Sequence, residues 1–266
     1  MHAFTYHRPQ TQAQAVALRQ SGTEATYLAG GMTLLPTLKQ RLASPTDVID
    51  LSALPGLSDI LVADGQLVIG AMTRHATVAA SKVVGGSIPA LGHLASLIGD
   101  GQVRNRGTIG GSVANSDPAA DYPAAVVALG ATVVTDRRQI ACADFFRDLF
   151  ETALAPGELI IAIRFPIPTR AAYCKFPNPA SRYAMAGVFV ADFGGKIQVG
   201  VTGAGPCAFR ASPIEAALQA KLDPVSLDSV AIDHARFNSD MHASAEYRAQ
   251  LVRVMAMRAV ADMISQ

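Results

Sequence analysis

Two glycine clusters are the residues in this sequence best suited to chemistry. The first is Ala29-Gly30-Gly31-Met32-Thr33-Leu34; the second, about eighty residues later, is Thr108-Ile109-Gly110-Gly111-Ser112. A diphosphate needs several N–H donors converging on it and a backbone that can come close. Glycine permits the approach because it has no Cβ and tolerates positive φ. A helix starting directly after such a loop adds unpaired N–H groups and the positive end of its dipole. The first cluster meets these requirements without a lysine or arginine, and Thr33 adds a hydroxyl for a phosphate oxygen or for the helix cap. Strand–Gly–Gly–helix junctions also serve as plain tight turns, so this loop alone leaves both readings open. The second cluster closes a run of Gly99, Gly101, Gly107, Gly110 and Gly111 around Arg104-Asn105-Arg106. It is not a Walker loop, since no Gly-Lys-Ser/Thr follows, and it is not G-x-G-x-x-G before a helix. Asp121 precedes an apolar helix, either as its N-cap carboxylate or as a partner for ribose hydroxyls. Together the clusters suit a long dinucleotide gripped at two points. They do not separate a flavin from a nicotinamide.

The elements around the loops are legible in outline. Thr11 and Gln14 have capping-box spacing, Ala15, Val16 and Leu18 supply an apolar face, and Gly22 is placed to end that helix. Thr26-Tyr27-Leu28-Ala29 is a strand running into Gly30, and residues 34–42 read as a helix with Pro36 in its first turn. With a strand over residues 47–51, the opening segment forms a β-α-β-α-β-like unit. Residues 67–69, 131–134 and 159–165 read as strands, and 88–98 and 122–129 as helices. Pro166-Ile167-Pro168-Thr169 marks the expected domain boundary. Beyond it, alternating runs over residues 188–193 and 196–201 flank Gly194-Gly195 as a hairpin. Helices follow over 211–222 and 244–264, the last with Val252, Met255, Ala259 and Met263 on one face. This part reads as an α+β module of antiparallel strands covered by helices.

Composition narrows the function. Of 266 residues half are hydrophobic and 16% are charged, with a net charge of +1, which offers no electrostatic footprint for nucleic acid. Low charge with positive mean hydropathy fits a chain that covers part of its surface with partners. No apolar stretch approaches the ~18–20 residues of a membrane span, and the N-terminus lacks a signal-peptide layout, so a cytoplasmic protein is expected. Cys142, Cys174 and Cys207 are odd in number and far apart, which argues against disulfides and against a metal or iron–sulfur site in this chain. Redox chemistry here requires an organic cofactor or a centre on another subunit.

Three further stretches carry a family resemblance: Leu28 to Pro36, then Gly70-Ala71-Met72-Thr73-Arg74-His75, then Val103 to Ser112. Together with Asp117-Pro118-Ala119-Ala120-Asp121-Tyr122-Pro123, the segment from Ala180 to Gly187 and the segment from Ser239 to Arg248, they resemble the FAD-binding medium subunit of molybdenum hydroxylases, the xanthine dehydrogenase and aerobic carbon monoxide dehydrogenase family. The resemblance spans nearly the whole chain in the expected order. It implies an α+β protein: a vanillyl-alcohol-oxidase (PCMH)-type FAD domain over residues 1–168, with α/β subdomains of about 1–54 and 55–168, and a smaller carbon monoxide dehydrogenase flavoprotein-type domain over 169–266. It further implies noncovalent FAD, its pyrophosphate held by Ala29, Gly30, Gly31, Met32, Thr33 and Leu34 and by Thr108, Ile109, Gly110, Gly111 and Ser112. By the same resemblance Asp121 binds the adenine-side ribose, Ile98 lies near the flavin ring, and backbone near Ile160 touches its edge. Lys175 stands close to the isoalloxazine as a cation, and Tyr183 screens one ring face. One departure is visible: Gly99-Asp100-Gly101-Gln102 stands where many relatives have Gly-Asp-Pro-Gln.

The implied assembly is a dimer of heterotrimers with no catalytic side chain and no metal on this chain. A large subunit with a molybdenum cofactor oxidises the substrate (carbon monoxide, an aldehyde or an N-heterocycle). A small subunit with 2Fe–2S clusters relays electrons, and the FAD passes them to an external acceptor. A stand-alone flavin reductase or oxidase of the same fold is the enzymatic alternative, and a flavin-free scaffold the non-enzymatic one. His75 and Cys174 read as structural residues, and Arg104 and Arg106 as solvated or interfacial ones.

Overall fold

The computed structural model describes residues 1–265; Gln266, the end of the expected second domain, lies outside the described residues. The first unit is β1 (Thr5–His7), α1 (Gln12–Ser21), β2 (Ala25–Leu28), α2 (Leu34–Lys39) and β3 (Asp47–Asp50), with an all-parallel sheet of order β1-β3-β2. The Thr11 hydroxyl accepts from Gln14 N–H and Gly22 caps the far end of α1, as its sequence predicts. The Gln14 side chain reaches Gln10 N–H rather than Thr11. Strand β2 delivers the chain straight into Gly30 and Gly31, and α2 follows.

The second unit opens with β4 (Ile60–Ala63) and β5 (Gln66–Gly70). Six helices follow: α3 (His75–Ala80), α4 (Lys82–Ser87), α5 (Pro89–Ser96), α6 (Gly101–Arg106), α7 (Ile109–Asn115) and α8 (Tyr122–Ala128). Then come β6 (Thr132–Thr135), β7 (Gln139–Ala141), the small hairpin β8 (Phe146–Asp148) and β9 (Glu151–Thr152), and β10 (Ile160–Pro166). Its main sheet is antiparallel, in the order β4-β5-β10-β6-β7. Tyr27 of β2 donates to Gly157 O at 3.1 Å, tying the strand that feeds the first glycine loop to the loop before β10.

The last unit is a sheet of order β11-β12-β13-β14, from β11 (Arg170–Pro177), β12 (Ala184–Asp192), β13 (Ile197–Thr202) and β14 (Phe209–Arg210), with α9 (Ser212–Ala220) and α10 (Ala245–Ile264). The Gly194-Gly195 hairpin forms as its pattern requires, with both glycines at positive φ. Strand β11, unassigned in the sequence reading, starts after a connection of three residues from β10.

The period of two decides how this sheet sits. Ala172, Val188, Val190, Val199 and Val201 face a core shared with α9 and α10. Ala171, Tyr173, Phe189 and Ala191 face the other way, into the core of the second unit. Helix α8 is buried on every side, and it rests on β13 where a Cβ at Gly200 would collide with the backbone of Ala124. The unit after Pro168 therefore shares its core with the one before it. At the open end of this sheet, the buried Arg248 of α10 donates to Met185 O and Gly203 O, each at 2.8 Å, and to Asp240. Arg248→Met should leave two buried carbonyls unpaired and lower unfolding free energy by about 3 kcal/mol, measured by urea denaturation. A change below about 0.5 kcal/mol would show that Arg248 is not a structural tie.

Candidate functional site

The two glycine loops, far apart in sequence, touch in space. A Cβ on Gly30 would run into the carbonyl of Arg106 and the Cα of Gly107, and a Cβ on Gly111 would stand 3.7 Å from Ala29 Cβ. Gly31 has φ +75°, a conformation that side chains disfavour. The structure therefore brings together all eleven residues expected to hold a pyrophosphate.

Their backbones do different work. In the second loop, Ile109 N–H donates to Thr73 O, Gly110 N–H to Ala71 O and Ser112 N–H to Thr108 O. Gly111 N–H meets the Thr108 hydroxyl, which caps α7. Among these the protein already occupies the donors. In the first loop no such partner is found: the N–H groups of Gly30, Gly31, Met32, Thr33 and Leu34 donate to no protein acceptor among the described residues. Thr33 makes no side-chain cap either, and Met32 and Thr33 are exposed. Unpaired donors this close together, at a helix start, form a cradle for an anion. The second loop is the wall against which the first is set.

That wall is fixed from behind. Ala71 N–H donates to Ile161 O while Ala71 O accepts from Gly110, so the start of β10 and the second loop hang on one residue. Ile160 itself turns its side chain into the core. His75 N–H donates to Gly107 O, and its ring lies so close that a Cβ on Gly107 would stand 2.5 Å from Nε2. The ring is buried, its Nδ1 has no partner among the described residues, and it lies 5.3 Å from the Tyr122 ring. Burial, with Arg104 nearby, holds this imidazole down to about 4, so it is neutral and structural, as expected for it.

The remaining expected residues fall at the meeting of the second and third units. Ile98 follows α5 and is half-buried; Tyr183, 47% exposed, ends the turn between β11 and β12. Asn178 caps that turn through Ala180 N–H and Ser181 N–H. Asp121 stands at the start of α8 but makes no capping bond, which corrects the N-cap alternative: its carboxylate turns inward instead. There it accepts from the Tyr173 hydroxyl at 2.6 Å and from Lys175, 2.9 Å from Oδ1. Burial pushes the Asp121 carboxyl up, and Lys175 and Tyr173 pull against it. Arg104 is not a free surface cation; its guanidinium donates to Ile98 O at 2.6 Å. The two Asp121 bonds have no signal in the local sequence, because each joins residues whose proximity only the tertiary fold creates. The run of five unpaired donors was hidden for the same reason. Cys174 donates to Asp262 at 3.2 Å.

With this geometry established, comparison with known proteins is decisive. A family model described as the FAD binding domain in molybdopterin dehydrogenase matches residues 2–168. The chain belongs to that family. It is 37% identical to the carbon monoxide dehydrogenase medium chain of Afipia carboxidovorans, covering 97% of this chain and 96% of the relative. It is 35% identical to the 6-hydroxypseudooxynicotine dehydrogenase complex subunit alpha of Paenarthrobacter nicotinovorans, covering 92% and 88%. A solved Cu,Mo-CO dehydrogenase contains a chain that superposes with a TM-score of 0.92 at 35% identity, covering 100% of this chain and 99% of that one. FAD is thus the group the family's loops hold, and the residues present fit it: an unpaired anion cradle, a glycine at positive φ, and a second loop packed too tightly for side chains.

Two outcomes test this description. Thr33→Glu places a carboxylate at the mouth of the cradle and at the favourable end of α2. The FAD-free chain should melt no lower than wild type while FAD affinity falls roughly 10- to 100-fold, less so in high salt; unchanged affinity in a titration would remove the first loop from the site. The His75 imidazole has a folded value below the ordinary 6.5, so the unfolded chain binds the extra proton first. Its share of stability is intact above about pH 6.5 and is lost as pH falls towards about 4. His75→Gln should lose about 2–3 kcal/mol less than wild type between about pH 7 and about pH 4.5. Parallel losses in urea unfolding would show an ordinary, solvated histidine.

Proposed function

We propose that this chain is the FAD-bearing medium subunit of a three-subunit molybdenum hydroxylase. In this reading a small subunit's 2Fe–2S clusters deliver electrons to it, and an external acceptor takes them away. A large subunit with the molybdenum cofactor oxidises the substrate, carbon monoxide, an aldehyde or an N-heterocycle, so the substrate is not chosen by residues of this chain. Bound FAD suits the junction because a flavin exchanges electrons singly or in pairs. The protein's part is to bind, orient and screen it.

The observation that carries the reading is the row of five N–H groups in the first loop, unpaired among the described residues, held against a second loop whose N–H groups from Ile109 to Ser112 are already paired. Its agreement over nearly full length with medium chains of multi-subunit dehydrogenases supports the assembly. So does the low share of charged residues, 16%, in a chain with exposed Leu42, Leu149, Phe150 and Met241. We place the complex in the cytoplasm, as a dimer of heterotrimers, with residues 1–168 as the FAD domain and 169–266 as the smaller C-terminal domain.

Co-expression with the products of neighbouring genes tests this directly. The expected product is a stable complex whose visible spectrum shows flavin bands together with iron–sulfur absorption, and whose flavin bleaches when a substrate of the large subunit is added. A yellow chain that turns over alone and binds neither partner would make it a stand-alone flavoenzyme. A colourless chain that ignores added FAD would make it a scaffold.

A further inference from the structure

The segment before β10, residues 153–159, is fastened by the turn between β6 and β7. Arg138 of that turn grips the Glu158 carboxylate with two nitrogens, Nε to Oε1 at 2.9 Å and Nη2 to Oε2 at 2.8 Å, and donates to Ala153 O at 2.7 Å. The same carboxylate accepts from the Thr135 hydroxyl and from Ala155 N–H, each at 2.7 Å. Next in the chain, Leu159 N–H donates to the Asp136 carboxylate and Leu159 O accepts from Asp136 N–H. With four bonds made, the Glu158 side chain is 0% exposed. A group that touches a ligand needs surface in the ligand-free chain. Glu158 has none, so its route to the site runs through the backbone it holds.

That backbone leads to both glycine loops. The ladder of β10 on β6 shifts register between Ile160 and Ala162, and a strand there takes its aim from what flanks the irregularity rather than from the ladder itself. Ile160 is the residue whose backbone is expected at the flavin edge. Ile161 O accepts from Ala71 N–H, and Ala71 O holds Gly110 of the second loop. In the other direction Gly157 O accepts from Tyr27, on the strand that enters the first loop. We propose that the Glu158–Arg138 pair is a positioning clamp, which sets the two glycine loops and the Ile160–Ile161 backbone at the spacing that FAD requires. This rests on the FAD-subunit reading. A forked guanidinium–carboxylate contact fixes angle as well as distance. Arg138 adds Ala153 O to that contact, so one side chain grips the segment at two points.

Glu158→Gln keeps the shape and removes the charge from the fork, and Arg138→Met removes the guanidinium. Each should weaken FAD binding ~10-fold in a fluorescence titration of the full chain, at a temperature where far-UV circular dichroism shows the FAD-free variant folded. Each should also change the visible circular dichroism of bound flavin in the same sense, because both release the same backbone. A loss of stability alone shifts only the folded fraction, so it leaves the affinity and spectrum of a folded chain unchanged. The losses should overlap. The Glu158→Gln/Arg138→Met double variant should bind about as well as the weaker single one, and Tyr27→Phe should cost less in the Glu158→Gln background than in wild type. A carboxylate that contacted FAD itself would give another pattern: Arg138→Met would free Glu158 and bind FAD at least as well as wild type, while Glu158→Gln alone lost affinity. That pattern, additive losses, or wild-type affinity in both folded variants would overturn the clamp. Should Glu158→Gln not fold, Arg138→Met, Tyr27→Phe and their double variant decide by the same overlap. A wild-type chain that ignores FAD would sink the subunit reading itself. A wild-type chain that binds FAD while the variants depart from this pattern would sink only this inference.

Discussion

The site depends on a contact with no room for a side chain. Gly30 of the first loop is seated directly on the Arg106–Gly107 backbone of the second, and a single added carbon there would meet a carbonyl oxygen. The same exclusion recurs behind it, where a Cβ on Gly110 would stand 2.5 Å from Ala71 Cβ. Close backbone packing of this kind has a consequence for hydrogen bonding. The second loop, pressed against residues 71–75, pairs the N–H groups of Ile109 and Gly110 there and those of Gly111 and Ser112 on its own Thr108. The first loop, facing outward from that support, finds none. Buried unpaired donors are costly, about 1–3 kcal/mol each, and exposed ones are paired only by solvent or a ligand. The asymmetry between the loops is what turns two tight turns into a wall and a cradle.

The third unit takes part in the same construction. Thr202 donates its hydroxyl towards Pro118 O and Ala120 O, Gly203 N–H donates to Pro118 O, and Ala184 N–H donates to Ala119 O. The segment between the second glycine loop and α8 is thus held by the ends of β12 and β13. Those strand ends are in turn held by Arg248. A C-terminal unit that merely followed the FAD domain would have no reason to bury both faces of its sheet. This one uses one face for its own helices and the other for α8, so its placement and that of the site are one problem in packing.

Much of this was legible in the residues. The Thr11 cap, the strand into Gly30, the Pro36 helix start and the Gly194-Gly195 hairpin are local devices, and local chemistry reports them well. Strand β11 was missed because its buried side chains face two different cores, so Arg170-Ala171-Ala172-Tyr173-Cys174-Lys175 shows no clean polar face. The cap alternative for Asp121 arose because a carboxylate before a helix usually serves the helix. Here the low-dielectric junction offered it a cation and a phenol, and charge-assisted bonds in such surroundings outcompete an exposed capping bond. Arg104 was read as solvated or interfacial because charged residues in glycine-rich loops are mostly exposed, and nothing in the motif announces the Ile98 carbonyl six residues away.

These corrections share a direction. Each finds a charged residue satisfied by groups of the protein, while the donors left unpaired in the first loop, among the described residues, are neutral backbone N–H groups. That division has a physical rationale for an electron-transfer junction. A diphosphate keeps its charge whatever the redox state of the ring, so a fixed array of backbone dipoles can bind it without loss of affinity during turnover. The ring changes charge as it is reduced, and an unmatched side-chain charge beside it would favour one redox state over the other, holding electrons back or refusing them. A chain that passes electrons on, as proposed above, is well served by keeping its ionised groups matched within the protein.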